Sequence, residues 1–527
     1  MKSHLLTLSS ALLILTTSPT NAKEVEKEAP KKMNFTKWLN PIELLAQGRR
    51  TLEDTFLVVT GAVPKTAQTA QEIFSEGVLY SRLRMNSFLW DYKDDADMDH
   101  YGVGLGGKLM FASAPYRGFS GVAAVHYTNS PFRALREDDK EDIQNLRAVQ
   151  DTFSRYRAYT QGDYSMAVLS QLNFSYEFSQ TKLTLGRQLF ESLLVSANDT
   201  KMIPNVFEGG VLEFNELSKT SLRGAYFTSQ KLRDHVTFHD VITYGDGSSD
   251  PKAHWKNNDD SAAHKGLSYA NLQNADKKTK NSLIVLDLKN DSIENLQIDF
   301  AYTLVPNLVS SIVAELNYKV PLIYGLSITP GVRHMQQMDN GGGDIGGASL
   351  QGSLAVDQTP NSLLGYKERY TLNGSATMGR LIIQRGYFIT QFSYSKVADQ
   401  ADLVAPWRGF PTGGYTRAMG QYNWHANTES TAIKIFYDFS SSNLIPGFSA
   451  ITRYVVQDFD EQKQRAGGQA DSKILHMDFR QEILEGFDAK FRVLFSDAKR
   501  REDYALNSAL TERDSYSEYR FELNYLF

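Results

Sequence analysis

The 527-residue chain has no cysteine, which excludes a disulfide framework and a thiolate metal site and leaves no thiol to be oxidised during export. Beyond its N-terminal segment it also lacks any uninterrupted apolar run of the roughly 18 residues that a membrane-crossing helix needs. Phe56–Val63 is the kind of short patch that remains. An excess of basic charge is missing too: 56 Lys and Arg stand against 61 Asp and Glu, a balance unsuited to tracking a nucleic-acid backbone. A catalytic constellation is equally absent. Ser and His are scattered, and nothing forms a strand-turn-helix nucleophile elbow.

Three apparent motifs fail on their context. Gly102, Gly104 and Gly107 have nucleotide-loop spacing, but they sit inside an alternating stretch that no helix follows. His235 and His239 are spaced like helical metal ligands, yet they fall in a long spacer without a third ligand. Asp95, Asp97 and Asp99 resemble a calcium loop, but His100 stands where glycine is required and no glutamate occupies the closing position. At most this is a loose surface site. The expectation is a non-enzyme with no cofactor and no built metal site.

What is present begins with Lys2 and His4 before the mostly apolar Leu5–Leu15, then Ser18, Pro19, Thr20, Asn21 and Ala22. Residues 1–22 read as a cleavable signal peptide. An exported chain without a second apolar stop either ends in solution or crosses a membrane as a closed barrel, the other geometry that pairs every backbone polar group. Residues 23–75 start charged and proline-containing, then turn helix-friendly through Ile42, Leu44, Leu45, Leu52 and Phe56. They read as a partly helical periplasmic or lumenal extension.

The period of the remaining pattern decides between the two geometries. Tyr519, Phe521, Leu523, Tyr525 and Phe527 alternate with Glu518, Arg520, Glu522 and Asn524, one face aromatic and the other charged. The same beat runs through Phe487–Phe495, Leu296–Leu304, Tyr101–Phe111, Val168–Phe178, Ile312–Tyr318, Leu326–Val332 and Ile433–Phe439. About 18 such segments of roughly 8 to 12 residues follow Val78, the length of a tilted strand crossing an apolar layer. Short spacers (Ser179–Lys182, Ser218–Thr220, Pro321–Tyr324) alternate with long ones (Asn129–Tyr164, Leu232–Lys280), the rhythm of short periplasmic turns and long external loops. Residues 76–527 are therefore expected to form an all-β transmembrane antiparallel barrel in a bacterial outer membrane. Its aromatic end at Phe527 suits recognition by the barrel-assembly machinery.

If the apolar positions face lipid, parity turns Arg82, Arg84, Lys108, Arg223, Lys319, Arg333, Lys434, Arg453, Arg480, Lys490, Arg492 and Arg520 into the lumen; such charges near the midplane of the lipid face would cost about 2 to 4 kcal/mol. Parity also turns in Glu177, Asp299, Glu315, Asp438, Asp478, Asp488, Glu518 and Glu522. Segregated on opposite walls, the two signs would set a transverse field that orients dipolar solutes.

The chain resembles the OprD family of outer-membrane porins over nearly all of Glu76–Phe527. The densest match is Gly162–Gly209: Gly162-Asp163-Tyr164-Ser165-Met166 opens a strand, Leu185-Gly186-Arg187-Gln188 closes the next, and Asn198-Asp199-Thr200-Lys201-Met202-Ile203-Pro204-Asn205-Val206-Phe207-Glu208-Gly209 resembles the family's long third loop. Echoes lie in Gly77–Trp90, in Gly447–Val455 around Thr452-Arg453-Tyr454-Val455, and in the last strand. The N-terminal extension and long loops rich in Asp and Gly depart from the pattern. The resemblance implies an 18-stranded monomeric or loosely trimeric barrel, narrowed by an inward-folded third loop and lined by a ladder of arginines and lysines that guides carboxylate-bearing nutrients. Asp199, Lys201, Asn205 and Glu208 are the candidate constriction residues. The expected activity is passive diffusion of small charged solutes such as amino acids, carboxylates or peptides, with outer-membrane lipid and lipopolysaccharide as surroundings and no nucleic acid. The alternative is a structural or adhesive barrel acting through its external loops.

Overall fold

Two-residue alternation of apolar and polar side chains builds strands that are greasy on one face and charged on the other, and the computed structural model closes them into one barrel. It describes residues 64–93, 99–133, 149, 152–197, 201–242, 249–250, 264–350, 352, 365–405, 407, 414–417, 423–460, 463, 471–498 and 515–527. The expected signal peptide, residues 23–63 of the extension, Asp95 and Asp97 lie outside these. The described end of the extension carries a one-turn helix α1 (Glu72–Ser75).

Among the described residues nineteen strands form a single sheet, one of them the two-residue Val320–Pro321. The other eighteen are β1 (Val78–Tyr92), β2 (His100–Ala112), β3 (Phe119–Arg133), β4 (Ser165–Phe178), β5 (Thr181–Gln188), β6 (Val206–Leu217), β7 (Thr220–Lys231), β8 (Leu283–Asn290), β9 (Leu296–Val305), β10 (Val309–Tyr318), β11 (Leu326–Asp339), β12 (Gly374–Arg385), β13 (Phe388–Val397), β14 (Glu429–Asp438), β15 (Phe448–Asp458), β16 (Ser472–Leu484), β17 (Phe487–Ala498) and β18 (Tyr516–Leu526). Each pairs antiparallel with its chain neighbour. The first and last strands then close the ring through a register running from Arg82↔Leu526 to Tyr92↔Tyr516, so no long strand among the described residues is left with an open edge.

Tight hairpins gather at one end of the barrel. In the turn between β16 and β17 Gly486 has φ 78°, and a Cβ there would lie 2.5 Å from the Leu526 carbonyl oxygen; the turn requires glycine. The other end carries the long loops. One of them holds α2 (Arg155–Gln161), whose Ser154 side chain accepts from the Arg157 amide as an N-cap.

Leu79, Leu83, Leu109, Leu172, Phe174, Leu185, Leu212, Tyr226, Leu286 and Leu316 stand exposed around the outside, an apolar surface far more extensive than a soluble monomer carries. It is a lipid-facing belt. Inside, the wall is layered. Near the loop end Phe207, Phe227, Val285, Val305, Val309 and Met335 form one apolar cluster with loop residues Leu193, Leu194, Trp407 and Trp424, while Phe88, Trp90, Ile474 and Leu494 pack on Phe153 and α2. Charged side chains occupy the middle of the wall.

Candidate functional site

The mid-barrel layer divides by composition. On β14–β18, β1 and β2 the buried cations are Arg82, Arg84, Lys108, Lys434, Arg453, Lys490 and Arg492, and the buried carboxylates are Asp478, Asp488, Glu518 and Glu522. Arg480 and Arg520 are half-buried on the same wall. Several of these cations lie directly opposite one another across the ladder: Arg82↔Lys108, Lys434↔Arg453, Arg480↔Lys490 and Arg492↔Arg520. Like charges in that relation destabilise a sheet.

Carboxylates brace the array. Arg492 grips Asp478 with two nitrogens, one at 3.0 Å, in the two-point geometry that favours arginine. Arg84 meets Glu522 at 2.9 Å, Arg520 meets Glu518 at 2.5 Å and Arg480 meets Asp488 at 3.1 Å. His476 joins the parts: its Nδ1 lies 3.3 Å from an Arg453 nitrogen and its Nε2 3.3 Å from Asp478 Oδ1. Arginine can only donate, so Nδ1 accepts and Nε2–H donates; the neutral imidazole orients Arg453.

The wall of β7–β12 is nearly self-neutralised. Arg223 meets Asp287 at 2.6 Å, and Glu315 bridges Arg333 at 2.5 Å and Arg380 at 2.8 Å. The carboxylates therefore do not collect on a wall of their own: a cation-rich wall faces a balanced one. Lys319 belongs to neither. It sits exposed in the turn after β10, its amide bonded to the Asn295 carbonyl, because the strand ends one residue before it.

The third long loop, residues 189–205, enters the barrel and is fastened on both sides of the strands that carry it. Ser192 Oγ bonds Asp287 Oδ1 at 2.5 Å and Arg223 donates to the Glu191 carbonyl. Across from these, Asn86 Nδ2 donates to the Lys201 carbonyl at 3.2 Å, and the Lys201 ammonium lies 4.4 Å from the Phe88 ring centre. Trp407 Nε1, from the loop between β13 and β14, donates to the Leu194 carbonyl at 2.7 Å. Lys201 and Asn205 are thus buried in this loop, and Asp199 lies outside the described residues. Glu208 corrects the expectation. The loop ends at Asn205, so Glu208 is on β6 with the outward parity of Leu212, ion-paired to Arg187 at 2.9 Å with side chains 39% and 34% exposed.

A family model described as "outer membrane porin, OprD family" matches residues 158–527. The chain belongs to that family. Solved structures of similar fold include the Acinetobacter baumannii OccAB1 (13% identity, TM-score 0.64, 88% of this chain and 99% of that chain), the Pseudomonas aeruginosa outer membrane protein OpdK (13%, 0.60, 85% and 99%) and a BenF-like porin from Pseudomonas fluorescens Pf-5 (11%, 0.61, 86% and 99%). A comparison with curated protein sequences finds no match.

In this OprD-family barrel the glycine motif of β2 has a packing role. A Cβ on Gly102 would come 2.4 Å from Val149 Cγ1, and one on Gly104 would come 2.9 Å from Met202 Cγ and 3.1 Å from Thr152 Cβ, so these glycines seat the second and third loops against the wall. Gly104→Val is expected to cost about 1–3 kcal/mol by overpacking and to displace the third loop. A changed single-channel conductance, with the barrel still resistant to unfolding in cold detergent, would show it; an unchanged conductance would place the loop contact outside the conducting path.

The His235–His239 pair lies in the loop after β7. His239 Nδ1 is 2.8 Å from the Asp240 carbonyl and must donate to it, so Nε2 accepts from His235 Nδ1 at 2.8 Å; its lone pair is already engaged. Burial, with Lys231 nearby and against the Asp240 carbonyl, pushes the His239 pKa from 6.5 down to about 4. The opened loop therefore binds more protons between those values, and the closed loop loses stability as pH falls from about 6.5 to about 4, on the order of 3 kcal/mol in all. Amide exchange over residues 232–242, corrected for intrinsic rates, is expected to accelerate on acidification across this window, and His239→Gln to flatten the dependence.

Proposed function

We propose that this porin conducts small charged solutes by passive diffusion, that its cation-rich wall guides anionic groups, carboxylates above all, and that the third loop sets the narrowest part of the path. The observation that supports this reading is the set of like-charged cross-strand pairs: Arg82↔Lys108 and Lys434↔Arg453 work against the sheet that holds them, and an anionic visitor relieves that repulsion. A similar solved structure, OpdK of Pseudomonas aeruginosa, was determined with vanillate, a small aromatic carboxylate. No chemical turnover enters the proposal; the charged wall lowers the electrostatic barrier to entry, and carboxylates interleaved with the cations keep binding weak enough for release.

Single-channel recording in a planar bilayer with a salt gradient tests it. Discrete open steps, a reversal potential favouring anions and block by a small carboxylate are the expected results. A silent barrel would overturn the channel reading in favour of a function carried by the external loops, and a cation-favouring potential would overturn the guidance role of the wall.

A further inference from the structure

We propose that the outer rim over β15–β18 and β1 is a binding site for the phosphorylated sugar headgroup of an outer-leaflet glycolipid, with Lys473 and Lys93 as its phosphate ligands. The inference rests on the outer-membrane placement of the family and not on the identity of the conducted solute.

A hollow of about 450 Å³ opens there, lined among others by Asp91, Lys93, Tyr454, Lys473, Phe495 and Asp497. It faces outward. Tyr454, Leu475, Phe495, Ser517 and Asp91 follow one another across five adjacent strands in register, and Tyr454 and Phe495 are exposed on the lipid side. Directly toward the loop end, Lys473 stands opposite Asp497, and Lys93 reaches Asp497 at 3.0 Å with side chains 73% and 70% exposed. Lys473 is exposed and has no ion pair within 4.0 Å among the described residues.

The height on the barrel fits a headgroup. Two other outward ion pairs, Lys396–Glu429 at 2.6 Å and Arg187–Glu208 at 2.9 Å, occupy the same loop-side ends of their strands, where an apolar belt gives way to polar surroundings. Those pairs are each a single cation matched to a single carboxylate. The hollow offers more: two ammonium groups for a phosphate, two carboxylates to accept from sugar hydroxyls or amides, and Tyr454, Leu475 and Phe495 below them for the first segment of an acyl chain. Cations and carboxylates side by side suit a phosphorylated sugar better than inorganic phosphate, because the sugar brings hydroxyl or amide donors for the carboxylates beside the phosphate that the ammonium groups take.

Native mass spectrometry of the full chain, purified from outer membranes in a mild non-ionic detergent, reads the occupancy. The wild-type barrel is expected to retain a phosphorylated glycolipid. Lys93→Glu with Lys473→Glu should lower retention about tenfold or more, the scale of losing charge-assisted hydrogen bonds, whereas Lys396→Glu should leave it unchanged. Heat-dependent gel mobility confirms that each variant is a folded barrel, and the milder Lys473→Gln serves if the double variant does not insert. Delipidated protein is then offered the glycolipid, its enzymatically dephosphorylated form, and inorganic phosphate. Preference for the phosphorylated lipid supports the site. Equal retention by the double variant, equal binding of the dephosphorylated lipid, or displacement by inorganic phosphate alone would each overturn it.

Discussion

Glu315→Ala is expected to destabilise the barrel by about 3–5 kcal/mol, the cost of removing one partner from a buried ionic cluster. Glu315 is the shared anion of Arg333 and Arg380, at 2.5 and 2.8 Å, and it also accepts from Asn317 at 2.8 Å. All three ionic side chains are at most 8% exposed. Tyr415 lies over both guanidiniums, 5.0 and 4.1 Å from ring centre to Cζ, so neither arginine swings to water without also disturbing the loop that supplies the ring. Glu315→Gln keeps the acceptor and the shape and should lose less. The urea midpoint of the barrel, followed by heat-dependent gel mobility, measures both; an alanine midpoint equal to that of the wild type would mean that water in the lumen replaces the carboxylate.

Neutralising Arg82 and Arg84 together, as Arg82→Gln with Arg84→Gln, is expected to reduce anion over cation permeability about tenfold. A unit charge contributes about 1 kcal/mol at about 4 Å even at the dielectric of water; Arg82 and Arg84 are buried, so they act on a passing ion from farther off through a wall that screens less than water, and salt screens part of the effect. Stability should fall as well, since Arg84→Gln leaves the buried Glu522 without its partner at 2.9 Å and relief of the Arg82↔Lys108 opposition offsets only part of that cost. The change in selectivity is what separates a solute-facing role from a purely structural one. Reversal potentials in a salt gradient give the first quantity and urea midpoints the second; a stability loss with unaltered selectivity would make these arginines bracing elements.

The architecture is legible in the sequence because period two dominates almost every strand, and strand number and turn rhythm follow from it. Three features break the parity argument. A bulge in β4 leaves Ser170 outside the register between Val125↔Leu169 and Ala124↔Gln171, so Val168 and Ser175 both face inward although their spacing is odd; one extra residue reverses everything beyond it. Arg380 stays hidden because β12 is apolar on both faces around it, through Met378, Leu381, Ile382 and Ile383, and shows no alternation to read. Glu208 falls on the wrong element because a continuous run of loop-like residues carries no mark of where the strand resumes, and β6 starts at Val206.

The loop anchors have no sequence signal at all. Asp402, in the loop between β13 and β14, accepts from Leu350 N, Ala426 N and Tyr366 Oη at 2.9, 2.8 and 2.7 Å and contacts His425 at 3.2 Å. Burial raises its pKa, yet His425, Tyr366 and the Ala426 amide outweigh that and hold the carboxyl below the usual range. Leu350 and Tyr366 come from the loop between β11 and β12 and His425 and Ala426 from Asp402's own loop, and it is the packing of two successive loops that brings them together. Trp407, which pins the third loop at the Leu194 carbonyl, is of the same kind.

The seam between β1 and β18 sets the order of events in biogenesis. Ser81 and Phe527 exchange amide hydrogen bonds of 2.8 and 3.0 Å, so the ring is joined through a residue at the far end of the sequence from its partner. Until β18 is available, β1 has no mate on one side, and every partial sheet presents an adhesive flank to other chains. Closure is therefore a late, long-range event. Without the last residues of β18, β1 would keep an unpaired flank.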